Sequence, residues 1–162
     1  MPARTLFFSL VFLFAFLIAA PLAAQVKNEN ELRRLFSDAE WKLESTCGIA
    51  NYFEIWSGVG VFSAAGDFVA DTECHHPLDP IWPTYRGKWL IKDGRLCFDD
   101  VVSKGTKSLR GFKTGYCFDV VVENKRLLLL AINGDRNWHI APKKHAEYKT
   151  LDDVIRALKH LK

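Results

Sequence analysis

The chain has 162 residues, 22 Lys and Arg against 19 Asp and Glu, a formal net charge of +3, four cysteines and 13% aromatic side chains. A balance so close to neutral argues against nucleic acid as a partner, and the length suits one domain.

Chain order opens on a segment that is not domain-like. Met1 to Ala24 reads as a secretory signal: Arg4 in a short basic start, an uncharged stretch from Thr5 to Ala20, then Pro21-Leu22-Ala23-Ala24 before the polar Gln25. The competing reading is an uncleaved anchor, since the apolar run is about long enough to cross a bilayer and Leu22 stands where a small residue is preferred. Cleavage after Ala24 would leave residues 25–162 as one domain with net charge +2, only Arg4 having been lost, and no stable membrane span. That domain is long enough to bury a core, so disulfides would supplement the core, not replace it.

A short helix comes first. Asn28 and Glu31 resemble a capping box, and Leu32, Leu35, Phe36 and Ala39 share one helical face. From Trp41 the pattern changes to short β-type runs punctuated by Gly, Asn and Asp. Strands are expected near 41–44, 50–56, 58–63, 67–73, 85–92, 95–101, 115–123, 126–132 and 137–140. Short turns between consecutive strands make an antiparallel meander, and closure into a small barrel removes its edges. The fold class is therefore mainly β, with short helices at both ends.

Two turns predict register. Asp93-Gly94 suits a two-residue type I′ hairpin, which pairs Ile91 with Leu96 and Trp89 with Phe98. Asn133-Gly134 would pair Leu129 with Trp138 and Leu127 with Ile140. Each hairpin then puts its large apolar pairs on one face. Thr150 and Asp153 start a final helix whose stripe of Leu151, Val154, Ile155, Leu158 and Leu161 is expected to pack on the sheet.

Cys47, Cys74, Cys97 and Cys117 allow three pairings. Cys97 and Cys117 fall on strands expected to be neighbours. Facing them brings Phe98 to Tyr116 and Leu96 to Phe118, and Cys47–Cys74 follows by elimination. Each bridge closes a loop of roughly twenty to thirty residues, worth on the order of 3 kcal/mol in the chain-entropy model.

The run from Arg86 to Cys97 (RGKWLIKDGRLC), followed by Tyr116-Cys117-Phe118-Asp119-Val120 and preceded by Gly66-Asp67, resembles a family of small secreted alphaproteobacterial proteins of unknown function. The shared pattern is a Gly-x-Trp strand, a tight turn, a Leu-Cys pair and a later Cys before a hydrophobic strand. The resemblance spans about Tyr52 to Val122 and implies a lipocalin-like barrel in an oxidising compartment, with no activity attached. This chain departs from the pattern in its basic loop after Asp100 and in Cys47 and Cys74. Its Gly-x-Trp also sits mid-chain, not on the first strand as in lipocalins.

Two clusters invite a site. Cys74-His75-His76 with Asp71, Glu73 and Asp79 has metal-ligand chemistry, but adjacent strand residues point apart and a disulfided Cys74 cannot ligate, so no metal and no cofactor is expected. Lys104, Lys107, Arg110 and Lys113 recur every third residue between the inner cysteines, suiting either an anionic envelope glycan or plain solvation. Nucleophile elbows, zinc-protease motifs and phosphate or dinucleotide loops are all missing, so no catalytic residue is assigned. Trp56, Trp89 and Trp138 with Phe62 and Phe68 would line either a pocket for a small apolar ligand or a solid core.

The leading expectation is a non-catalytic periplasmic or secreted binding module for a small or envelope-derived ligand. A second is a protein-directed inhibitor of a lysozyme or protease, acting through the segment from His75 to Thr84, which carries three prolines and Trp82. An enzyme without local motif is third.

Overall fold

The computed structural model describes residues 24–46, 55–74, 82–105, 112–133 and 136–159. Its elements are β1 (Ala24–Val26), α1 (Glu29–Phe36), β2 (Ala39–Thr46), β3 (Ile55–Phe62), β4 (Asp67–Cys74), β5 (Thr84–Lys92), β6 (Arg95–Lys104), β7 (Cys117–Glu123), β8 (Arg126–Ala131), β9 (Trp138–Lys144) and α2 (Leu151–Lys159). Strands β2 to β9 form a closed eight-stranded antiparallel barrel, each paired with its neighbours in sequence and β9 returning to β2. Strand β1 joins from outside the meander. It pairs with β7 from Val120 to Val122, beyond the start of β6, whose ladder with β7 covers Leu96 and Cys97. Asp119 holds this branch together, accepting from Gln25 Nε2 at 2.5 Å and from Arg95 Nε at 3.0 Å.

The expected registers hold where turn chemistry and side-chain alternation agree. Asp93 and Gly94 both have positive φ, and Ile91 pairs with Leu96 and Trp89 with Phe98. Leu129 pairs with Trp138 and Leu127 with Ile140. Gly134 lies outside the described residues, and the Asn133 side chain is engaged with β7 instead, accepting from Cys117 N and donating to Gly115 O. Another tight hairpin turns on Asn124-Lys125, both at positive φ, between Glu123 and Arg126.

Several boundaries differ from expectation, each for a physical reason. The glycines that suggested a break in β3 are interior positions of one strand. A Cβ on Gly58 would lie 2.3 Å from Asp71 O, and one on Gly60 would meet Leu43 and Phe62, so both glycines make room inside the barrel. Strand β6 runs on through Ser103 and Lys104, paired with Tyr85 and Thr84, which removes those two residues from the expected loop. Strand β9 continues past Pro142, which sits beside a register shift where its missing N–H is tolerated. Ala39 belongs to β2, because Asp38 at φ 53 ends the turn after α1.

The two ends of the barrel are unlike. One end carries the tight connections and is stoppered by α1, whose Asn28 cap accepts from Glu31 N and whose Leu32, Leu35 and Phe36 are fully buried. The Phe36 ring meets Trp41 and Phe62 at 5.6 and 5.1 Å. His145 clasps the same end. Its Nδ1 accepts from Glu147 N and Tyr148 N, so its Nε2 carries the proton and faces the Arg34 and Leu35 carbonyls. Tyr148 Oη donates to the buried Glu31, and Arg34 pairs with Glu147. Helix α2, with its Thr150–Asp153 capping box formed, packs Val154, Ile155 and Leu158 onto the barrel wall as expected. The strand ends that flank the longer connections, 46 and 55, 74 and 84, 104 and 117, and 131 and 138, lie at the opposite end.

Candidate functional site

The loop end is built from the beginnings of β3, β5 and β9 and from Phe112, which precedes the turn leading into β7. Alternation places Trp56, Tyr85 and Trp138 inward on their strands. Phe112 comes from the basic segment, yet it is 1% exposed and sits inside the barrel. Its ring lies against Phe68 and Phe98, both at 4.9 Å, against Tyr85 at 5.7 Å and against Trp138 at 5.0 Å. The residues that follow it are tied to β6. Phe98 N donates to Tyr116 O, Gly115 N donates to Phe98 O, and Val101 N donates to Thr114 Oγ1. The aromatic set that could have lined a pocket therefore forms a packed interior among the described residues.

The polar atoms of that interior divide by end. At the helix-stoppered end Trp41 Nε1 donates to Leu35 O at 3.2 Å and Trp89 Nε1 donates to Ser63 O at 2.9 Å. At the loop end no described group accepts from Trp56 Nε1, Trp138 Nε1 or Tyr85 Oη, although each residue is at most 2% exposed. Thr72 lies beside Tyr85, and its hydroxyl donates to Pro83 O at 3.1 Å. Burial pushes the Tyr85 phenol up to about 12, against a smaller opposing pull from the Arg136 charge. The Arg136 guanidinium stands 5.7 Å from the Trp56 ring centre, and Trp56 meets Trp138 edge to face at 6.5 Å. An unmatched buried donor costs about 1–3 kcal/mol, and folded proteins leave few of them. Three in one ring cluster therefore mark this end as unusual; all three can donate, and the Tyr85 hydroxyl can also accept.

The residues singled out from sequence fall in different places. Cys97 and Cys117 are directly paired across β6 and β7 and joined in a disulfide, with Leu96 opposite Phe118 as expected. Cys74 is also disulfide-bonded, which removes its thiolate from any metal site; its expected partner Cys47 lies outside the described residues. His75, His76 and Asp79 lie outside them too. Of the four regularly spaced cations, Lys107 and Arg110 are outside the described residues. Lys104 is exposed at the end of β6, and Lys113 Nζ stands 5.5 Å from the Tyr116 ring. Trp82 is 58% exposed and edges an open groove of about 620 Å³ on the outer wall of β2 to β4, with Asp71, Glu73, Ser57, Thr84 and Lys143.

Sequence reasoning missed Phe112 and the contrast between the tryptophans. A single aromatic among cations has no periodicity to flag it, and hydrogen-bond satisfaction depends on which carbonyls the loops bring near. No protein-family model and no curated protein sequence matches the chain.

Proposed function

We propose that the chain is a secreted or periplasmic binding module, non-catalytic, that takes a small or envelope-derived ligand at the loop end of its barrel. One observation carries this reading: the buried donors of Trp56, Tyr85 and Trp138 have no described acceptor, whereas the equivalent donors at the stoppered end are satisfied. A protein that leaves such groups unmatched gives up stability, and recognition is a familiar compensation. The signal-like segment at residues 1–24, the Cys97–Cys117 disulfide and the resemblance to secreted alphaproteobacterial proteins support the compartment. Native mass spectrometry of the processed protein, after exposure to a small-molecule extract of bacterial envelope, tests the reading. Wild type should retain a discrete added mass that Trp138→Phe combined with Tyr85→Phe loses. Retention of no added mass by wild type would overturn the reading.

The exposure of Trp82 beside an open groove favours a second reading, a protein-directed inhibitor of a lysozyme or protease. An exposed tryptophan is a common anchor at interfaces. Inhibition of a lysozyme or protease by wild type, weakened by Trp82→Ala, would favour this reading over the first.

A further inference from the structure

We propose a second binding site, on the outer wall where β2, β9 and β8 meet the start of α2, that takes a hexuronate, a sugar ring carrying one carboxylate. Lys42 and Arg126 would hold the carboxylate, and Glu44 and His139 would meet hydroxyls at the far side of the ring. The site is separate from the loop end and does not rest on the reading above.

Lys42, Glu44, Arg126, His139, Ala141 and Leu151 line one open groove of about 310 Å³. That volume is at the low end for small-molecule sites and suits a single sugar unit. The ladders fix who stands beside whom. Lys42 is paired with Ala141, and Glu44 with His139, across β2 and β9. On the other side of β9, Leu127 is paired with Ile140, which brings Arg126 level with Ala141. Two long cations therefore flank one small side chain, their Cα atoms two strand spacings or about 10 Å apart. Both can reach over a methyl group to a single anion above it. Among the described residues neither Lys42 nor Arg126 makes an ion pair. Glu40, the acid two residues before Lys42, is engaged by Lys143 and Lys144 instead. The guanidinium fork matches a carboxylate edge, and the ammonium adds a point charge.

The neighbouring row selects a sugar acid over a simple anion. Glu44 and His139 are exposed and lie one same-face step along the strands from Lys42 and Ala141, about 7 Å away. Glu44 repels a second negative charge but accepts from hydroxyls, and the imidazole can donate or accept. A ligand for both rows therefore has one anionic end and one neutral, hydroxyl-bearing end. A hexuronate has that form: its carboxylate and its ring hydroxyls stand on opposite sides of a pyranose. Ala141 and the partly buried Leu151 offer apolar surface to the C–H face of the ring. Because the groove is open, the unit can be a free sugar or part of an acidic polysaccharide.

The test titrates galacturonate, trigalacturonate, galactose and acetate into the full processed protein, followed by amide chemical shifts and calorimetry. Galacturonate should bind at least about tenfold more tightly than galactose, the scale of one charge-assisted hydrogen bond. The largest shifts should fall on the amides of Lys42, Arg126 and Ala141. Lys42→Gln combined with Arg126→Gln should erase the preference, and either single change serves if the double variant does not fold. Glu44→Gln should weaken galacturonate while acetate binding holds or rises, because a repelling charge has gone and a hydroxyl acceptor with it. Tighter binding of trigalacturonate than of galacturonate would identify a polysaccharide as the source, and equal binding a free sugar. Acetate binding as tightly as galacturonate would overturn the sugar assignment. Galactose binding as tightly, no binding of galacturonate, or unchanged binding by the double variant would overturn the site. Tyr85→Phe combined with Trp138→Phe should leave galacturonate binding unchanged, so failure here is distinguishable from failure of the loop-end reading.

Discussion

The Phe112 ring lies on the Trp138 indole, centroids 5.0 Å apart and planes 12° from parallel, and this stack joins the connection between β6 and β7 to the barrel interior. With Phe112 1% exposed and Trp138 fully buried, the contact is core packing by a residue outside every strand. Phe112→Ala should therefore lower unfolding free energy by about 3–5 kcal/mol, the range for truncating a buried phenylalanine. Urea denaturation followed by circular dichroism checks it. A loss comparable to a surface substitution, within about 0.5 kcal/mol, would mean that the ring does not hold its place in solution.

Alkaline pH should act on two buried phenols. Tyr85 is pushed up to about 12 chiefly by burial, and Tyr148 to about 12 by burial and then by the neighbouring Glu31 charge. Both values lie above the ordinary tyrosine value of 10, so the folded state prefers the neutral phenol. The associated stability is fully present below pH 10 and is lost as pH rises from 10 towards 12. Ultraviolet phenolate titration should resolve two late-ionising groups, and Tyr85→Phe and Tyr148→Phe should each remove one. Urea midpoints should fall across the same window and fall less in either variant.

How much of this architecture was legible in the sequence depended on whether a local rule and a global pattern coincided. At Asp93-Gly94 the turn demands positive φ and the flanking alternation demands one apolar face, so a shift of one residue would expose Trp89, Ile91, Leu96 and Phe98 together. The Cys97–Cys117 pairing inherits that certainty from its apolar neighbours. Strand β1 was illegible because three residues are too short a run to establish a period, Ala24 falls in the signal-like segment, and the strand gains its partner only on the part of β7 beyond the start of β6. Gly58 and Gly60 misled for a different reason. Glycine signals a turn when its φ is positive, but here it signals close approach inside a strand. The candidate site was half legible: Trp56 and Trp138 were recognised as interior, but whether their N–H groups find carbonyls is a tertiary property.

Gly87 gives the Gly-x-Trp pattern a physical meaning. It sits at the register shift between β5 and β6, where a Cβ would lie 2.7 Å from Asp99 O and 2.9 Å from Val101 Cα. Those are backbone atoms and cannot swing aside, so Gly87→Ala must move one strand away from the other. The expected loss is about 1–3 kcal/mol, the range for overpacking, with the β5–β6 amides showing the largest rise in hydrogen exchange. Gly115→Ala makes a useful contrast, because its Cβ would meet nothing within 4 Å although its φ of +82 is strained. If Gly87→Ala left both stability and exchange unchanged, the close approach of the two strands would not be what this glycine is needed for.

The Cys97–Cys117 disulfide spans a sequence separation of 20 between residues in direct register on adjacent strands, Cα atoms 4.1 Å apart. The β6–β7 ladder is only two residue pairs long, so the cross-link secures the weakest seam between consecutive barrel strands. Closing a loop of that length restricts the unfolded chain by about 3 kcal/mol in the entropy model. Replacing both cysteines with serine should lower stability by about that amount and also expose Phe98 N and Gly115 N to faster exchange, since their bonds continue the same seam. Non-reducing peptide mapping of wild type should recover the fragments bearing Cys97 and Cys117 as one linked species. Recovery of Cys74 joined to Cys97 would contradict the pairing and, with it, the register that places Phe118 opposite Leu96.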